Sequence, residues 1–123
     1  MINLFTIHPQ YKQAKKEEQV YQILDKFYRS FFTDMYNELN IHRYRQIRDT
    51  IGLVMRKFDE HDHPLAYTSK LVMYIQSQVA INHLPLTRQQ QEYMRELTNQ
   101  TKYVNLNYIY SGPVNDAKQF SRL

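Results

Sequence analysis

Two histidines, His61 and His63, lie one residue apart among the carboxylates of Asp59, Glu60 and Asp62. Imidazole and carboxylate groups are ligand types that zinc accepts. A metal site also needs a third and a fourth ligand in fixed geometry, and a solvated link between helices seldom supplies them. We therefore interpret this run as a polar loop between two helices, with no metal and no cofactor.

Other arrangements that would carry catalysis are missing from the sequence. There is no cysteine, which excludes a thiol nucleophile, a thiolate zinc site and a disulfide framework. There is no glycine-rich phosphate loop, and the two Glu-x-x-His motifs that di-iron bundles use are not present. The carboxylate pairs Glu17-Glu18 and Asp59-Glu60 lie among charged residues, which does not favour general acid–base catalysis. These features predict a protein that acts by binding and is not an enzyme.

A basic segment could contact an anionic partner. Its cations are Arg43, Arg45, Arg48, Arg56 and Lys57, and the spacing of Arg45, Arg48 and Arg56 approximates one face of a helix. The net charge of +4 permits nucleic acid, anionic lipid or an acidic protein surface as partner. Because Asp49 interrupts the run and three carboxylates follow it, we interpret the segment as a solvated basic face and expect no nucleic acid. A small basic helical nucleic-acid-binding regulator remains the alternative.

The elements that position these residues are helices. Only two glycines occur, Gly52 and Gly112, which argues against the many tight turns of a β fold. Apolar residues at steps of three and four predict helices over about residues 14–38, 41–59, 64–82 and 88–103. The short links between them predict antiparallel neighbours, and hence a single all-α domain over residues 1–123, an antiparallel four-helix bundle.

Local signals refine this prediction. Asn40 is the expected N-cap of the second helix, and Thr87 with Gln90 forms a capping-box pattern before the fourth. Gly52 inside the second helix costs about 1 kcal/mol unless a close helix contact requires it. The predicted core stripe of the first helix is Val20, Ile23, Leu24, Phe27, Phe31, Met35 and Leu39.

The C-terminal tail, residues 104–123, has a different pattern. Val104, Leu106, Tyr108 and Tyr110 alternate with Tyr103, Asn105, Asn107 and Ile109, which is closer to an extended period of two than to a helix. Gly112-Pro113 then breaks any regular element. We expect an extended or irregular tail that lies across the bundle or stays mobile until a partner binds. Its exposed tyrosines and asparagines, Asn107 among them, are a natural contact surface.

Three segments of the second half resemble a known family. They are PLAYTSKLVMYI at residues 64–75, LPLTRQQQEYMRELT at 84–98 and NDAKQF at 115–120. Together they resemble the enterocin A immunity family of class IIa (pediocin-like) bacteriocin immunity proteins over about residues 20–120. Residues 1–12 and the last three residues depart from the family pattern, and the resemblance assigns them no role.

The resemblance implies a protein in the cytosol that contacts the inner face of the membrane peripherally. It would protect the producing cell by binding the membrane components of the mannose phosphotransferase system once bacteriocin is bound, and by blocking the leak that follows. In this family the C-terminal half governs which bacteriocin is countered. The matching positions here are Tyr103, Tyr108, Tyr110, Lys118 and Phe120. The tyrosines either form that contact surface or seal the open end of the bundle.

Overall fold

A computed structural model describes residues 9–109 and 112–121, and this part of the chain contains four α-helices and no strand. They are α1 (Pro9–Arg29), α2 (Ile41–Asp59), α3 (Pro64–Asn82) and α4 (Arg88–Thr101). A short 3-10 helix, Ser30–Phe32, follows α1, and a C-terminal 3-10 helix spans Ala117–Phe120. Each α-helix packs on the next, and α4 packs back on α1. The prediction of an all-α four-helix bundle is confirmed.

The core is formed by the apolar stripes of the four helices. The stripe of α2 is buried over its whole length, which confirms the helical periodicity of that segment. α2 packs on α1 and α3, and α4 packs on α3 and α1, so the four stripes meet in one core. The buried apolar positions are Val20, Leu24 and Phe27 on α1 and Phe31 just after it; Tyr44, Ile47, Ile51, Val54 and Phe58 on α2; Leu65, Ala66, Tyr67, Leu71, Val72, Tyr74 and Ile75 on α3; and Met94 and Leu97 on α4.

Two close contacts explain polar or small residues inside the bundle. A Cβ atom added at Gly52 would lie 3.3 Å from the ring edge of Tyr28, so glycine lets α1 and α2 approach each other. Gln90 is fully buried and forms the predicted capping box with Thr87, each side chain bonding the other residue's backbone N–H at 3.0 Å. The Gln90 amide also donates to Ser30 Oγ at 3.0 Å, which joins the start of α4 to the end of α1.

The prediction of a first helix over residues 14–38 is wrong at both ends. α1 begins at Pro9, since a proline fits the first helical position, where its missing N–H is not needed. It ends at Arg29, and after the 3-10 turn the backbone becomes extended at Thr33. Met35 and Leu39 therefore lie outside the helix, and their side chains are 58% and 84% exposed instead of forming part of the core.

Asparagine side chains hold the segment after this end in a non-helical turn. Asn40 Nδ2 donates to the Met35 carbonyl at 2.9 Å, and Asn40 Oδ1 accepts from the Asn37 N–H at 2.8 Å. Such local bonds offer the backbone an alternative to the helical ladder. Asn40 occupies the N-cap position of α2, as predicted, but its side chain is engaged in these bonds and makes no capping bond to the helix.

The link between α3 and α4 stores backbone strain at a histidine. His83 has a φ of 52°, in the left-handed region, and the Leu84 N–H donates to the Val79 carbonyl at 3.1 Å. This bond closes a Schellman-type helix end, whose left-handed position usually belongs to glycine. Leu84, 4% exposed, anchors the turn in the core.

Replacing His83 with glycine is therefore expected to raise the free energy of unfolding by about 1 kcal/mol, since a side chain in this conformation costs about that much. Urea unfolding followed by circular dichroism measures the change. His42→Gly, on an exposed position inside α2, is the matched control and should lower stability by up to about 1 kcal/mol. Equal destabilisation by both variants would show that the left-handed turn holds no strain.

Candidate functional site

The first part of the tail lies at the end of the bundle where α3 begins and α4 ends. Tyr103 and Tyr108 are 89% and 72% exposed there, and Asn107 is exposed between them. The Lys102 ammonium lies 5.3 Å from the Tyr103 ring centroid, a cation–π contact. We call these three exposed residues, Tyr103, Asn107 and Tyr108, the aromatic end.

Tyr108 is held in place by the link between α2 and α3. Its ring stacks on His63, with centroids 6.3 Å apart and planes inclined by 17°. Beside it lies an open groove of about 390 Å³, lined by Pro64, Leu65 and Val104 among others. The Tyr108 ring therefore lies at the edge of a partly apolar groove. Because most of the ring is exposed to solvent, it does not cover the end of the hydrophobic core.

An ion pair between a buried lysine of α2 and a half-buried aspartate of this link fixes the position of His63. Lys57 Nζ, on a side chain 4% exposed, lies 3.2 Å from Asp62 Oδ2 and 4.6 Å from the Tyr67 ring centroid. His63 Nδ1 lies 3.2 Å from Asp62 Oδ1. Burial alone would raise the pKa of Asp62, but hydrogen bonds from His63 and Lys57 outweigh burial and lower that pKa. The carboxylate thus anchors the loop on which Tyr108 rests.

His61 and His63 have positive φ angles of 54° and 43° and lie in turns that end α2 and begin α3. Within residues 9–109 and 112–121, no group of three or more His, Asp and Glu side chains is arranged to hold a metal ion. The geometry assigns these histidines to chain reversal.

The second part of the tail returns along α2 and α3. Gln78 Nε2 donates to the Asn115 carbonyl at 3.5 Å, and the C-terminal 3-10 helix packs on α2. Phe120 is 1% exposed and meets the Tyr74 ring edge-on at 5.5 Å between centroids. Its side chain therefore anchors the tail inside the core and is not part of the surface. Lys118 is exposed, and Tyr110 lies outside the described residues.

The three arginines of the predicted basic face differ in their surroundings. Arg45 and Arg56 are exposed. Arg48 is paired with Asp49 at 3.0 Å, and its guanidinium lies 5.1 Å from the Phe32 ring centroid. With its central cation paired, this face has no continuous row of free charges for a phosphate backbone.

The sequence did not predict that Arg45 and Lys118 line the same groove between α2 and the C-terminal 3-10 helix. They are far apart along the chain, and no local pattern signals the return of the tail. Nor did it predict an exposed apolar group at the opposite end of the bundle from the aromatic end. That group consists of Phe32, Met35, Leu39 and Ile81.

No helix in the described parts of the chain is long and apolar enough to cross a membrane. Among known families, the model of the bacteriocin immunity protein family matches residues 14–102. No curated protein and no solved structure matches the chain. The family match covers α2, α3, α4 and most of α1, and it stops before the aromatic end and the C-terminal 3-10 helix.

Proposed function

Since this chain belongs to the bacteriocin immunity protein family, we propose that it protects the cell that makes it from a class IIa bacteriocin. It acts from the cytosol, at the inner face of the membrane. There it binds the membrane components of the mannose phosphotransferase system that carry bound bacteriocin, and it blocks the leak through them. Protection is stoichiometric and involves neither catalysis nor a cofactor.

The observation that carries the proposal is the aromatic end, taken together with the family. Tyr103 and Tyr108 expose most of their rings on a rigid four-helix scaffold. Large, stiff, amphipathic side chains of this kind supply most of the binding energy in many protein interfaces. The anchor at His63 holds Tyr108 ready for contact before the partner arrives, which reduces the entropy lost on binding.

Expression of the chain in a strain sensitive to class IIa bacteriocins tests the proposal. We expect the concentration needed to inhibit growth to rise for at least one peptide in a broad class IIa panel. Sensitivity to a pore-forming peptide that does not use this receptor should stay unchanged. If a correctly folded, well-expressed protein leaves the strain sensitive to every class IIa peptide, the proposal is wrong.

A further inference from the structure

A groove of about 470 Å³ runs between α2 and the C-terminal 3-10 helix. Leu53 and Ala117 give it an apolar lining, to which the buried Thr50 also contributes. Arg45 stands on the α2 side and Lys118 on the tail side. It is formed only because Phe120 anchors the tail, so the groove is a tertiary feature of the folded chain.

The groove carries uncompensated positive charge. Arg45 and Lys118 are exposed, and neither makes an ion pair within the part of the chain that the structure describes. The one carboxylate in the lining, Asp49, accepts a hydrogen bond from Arg48 at 3.0 Å, which compensates its charge. Asp116 Oδ1 accepts from the Lys118 N–H at 2.9 Å and so caps the 3-10 helix.

His42 is the remaining titratable group in the lining. Its imidazole brings no negative charge to the groove. An occupant should therefore be negatively charged at its edges and apolar at its centre.

We propose that this groove binds an acidic peptide segment of a protein partner. Carboxylates of the segment form charge-assisted hydrogen bonds with Arg45 and Lys118, and an apolar side chain between them packs on Leu53 and Ala117. A protein segment fits better than nucleic acid, because two cations flanking an apolar lining do not follow a run of phosphates. The inference rests on the proposed function, in which this segment belongs to the receptor assembly.

A titration of the ¹⁵N-labelled full chain tests the groove directly. The probe is a short blocked peptide of Glu-Glu-Leu repeats, and the uncharged control peptide has Gln-Gln-Leu repeats. We expect the acidic peptide to shift the backbone amide signals of Thr50, Leu53 and Ala117, and the uncharged peptide to bind more weakly. The double variant Arg45→Glu/Lys118→Glu should weaken binding about tenfold or more.

The matched control is Lys26→Glu/Arg88→Glu, which makes the same change in net charge at exposed positions on α1 and α4. It should retain most of the binding. Equal weakening by both double variants would show that only net charge matters and would overturn the groove assignment. So would shifts that map elsewhere on the bundle.

Two other occupants are separate outcomes. If duplex DNA or phosphatidylglycerol vesicles bind through Arg45 and Lys118 while the peptide does not, the ligand of the groove is a nucleic acid or a lipid surface and not an acidic protein segment. A dimer by sedimentation that dissociates in the Arg45→Glu/Lys118→Glu variant would assign the groove to a second copy. Either result contradicts the proposal.

The protection assay separates this inference from the proposed function. If the wild-type chain protects cells and Arg45→Glu/Lys118→Glu protects equally, the groove inference fails while the immunity function stands. If the wild-type chain protects against no bacteriocin yet binds the acidic peptide in the groove, the proposed immunity function is wrong. The groove then still binds an acidic segment, but that segment does not belong to the receptor assembly.

Discussion

Replacing Phe120 with alanine is expected to lower the free energy of unfolding by about 3–5 kcal/mol, the usual range for a buried phenylalanine. Phe120 is 1% exposed and packs against Tyr74 and the core between α2 and α3. Once the ring is removed, few strong contacts hold the C-terminal 3-10 helix on α2. The segment should therefore detach while the four α-helices stay folded.

Urea unfolding measures the loss of stability. Amide hydrogen exchange shows whether the backbone N–H groups of Gln119 and its neighbours are the first to exchange faster with solvent. Tyr74→Phe is the control in the same contact. Tyr74 Oη is buried without a hydrogen-bond partner among the described residues, and burial, then the charge of Asp116, raises the pKa of the phenol to about 12. Removing this hydroxyl should cost no stability. A small loss for Phe120→Ala, with exchange unchanged, would contradict this description of the tail.

The second large effect is functional. Replacing Tyr103 and Tyr108 together with alanine is expected to abolish protection while changing the free energy of unfolding by no more than about 0.5 kcal/mol. Both rings are mostly exposed, so the fold loses little. An interface loses about 2 kcal/mol or more for each aromatic hot spot removed. The readouts are the inhibitory concentration in the protection assay and urea unfolding of the purified variant.

Two controls define what the aromatic end contributes. The Tyr103→Phe/Tyr108→Phe variant keeps the rings and should keep most of the protection. Leu39→Ala removes an equally exposed apolar side chain from the opposite end of the bundle and should leave protection intact. Full protection by the double alanine variant would show that the tyrosines are not the contact surface.

The sequence was sufficient to predict the structure of those segments in which the local residue pattern and the tertiary packing favour the same conformation. The stripe of α2 and the capping box of Thr87 and Gln90 appear in the structure as predicted, because helical periodicity and cap chemistry are both written in adjacent residues. Gly52 was also interpretable, since a glycine inside a helix implies either a cost or a close neighbour, and Tyr28 is that neighbour.

The sequence was insufficient to predict the structure where competing local hydrogen bonds, or contacts with segments distant along the chain, determine the conformation. Met35 and Leu39 fit the helical stripe, but α1 ends at Arg29, and bonds made by Asn37 and Asn40 hold the segment that contains them in a turn. Phe120 fits an exposed tail as well as a core, and only the return of the chain along α2 and α3 decides between them. The same return brings Lys118 to Arg45, so the groove could not be predicted from spacing along the chain.

Copurification from membranes tests the proposed mode of protection most directly. Tagged protein is recovered from cells that contain the mannose phosphotransferase system, with and without added class IIa bacteriocin, and the membrane components that accompany it are identified. We predict that these components copurify only after bacteriocin is added, and that the Tyr103→Ala/Tyr108→Ala variant fails to retain them. Protection of the cells without any such association, or an association that is equally strong without bacteriocin, would contradict the proposal.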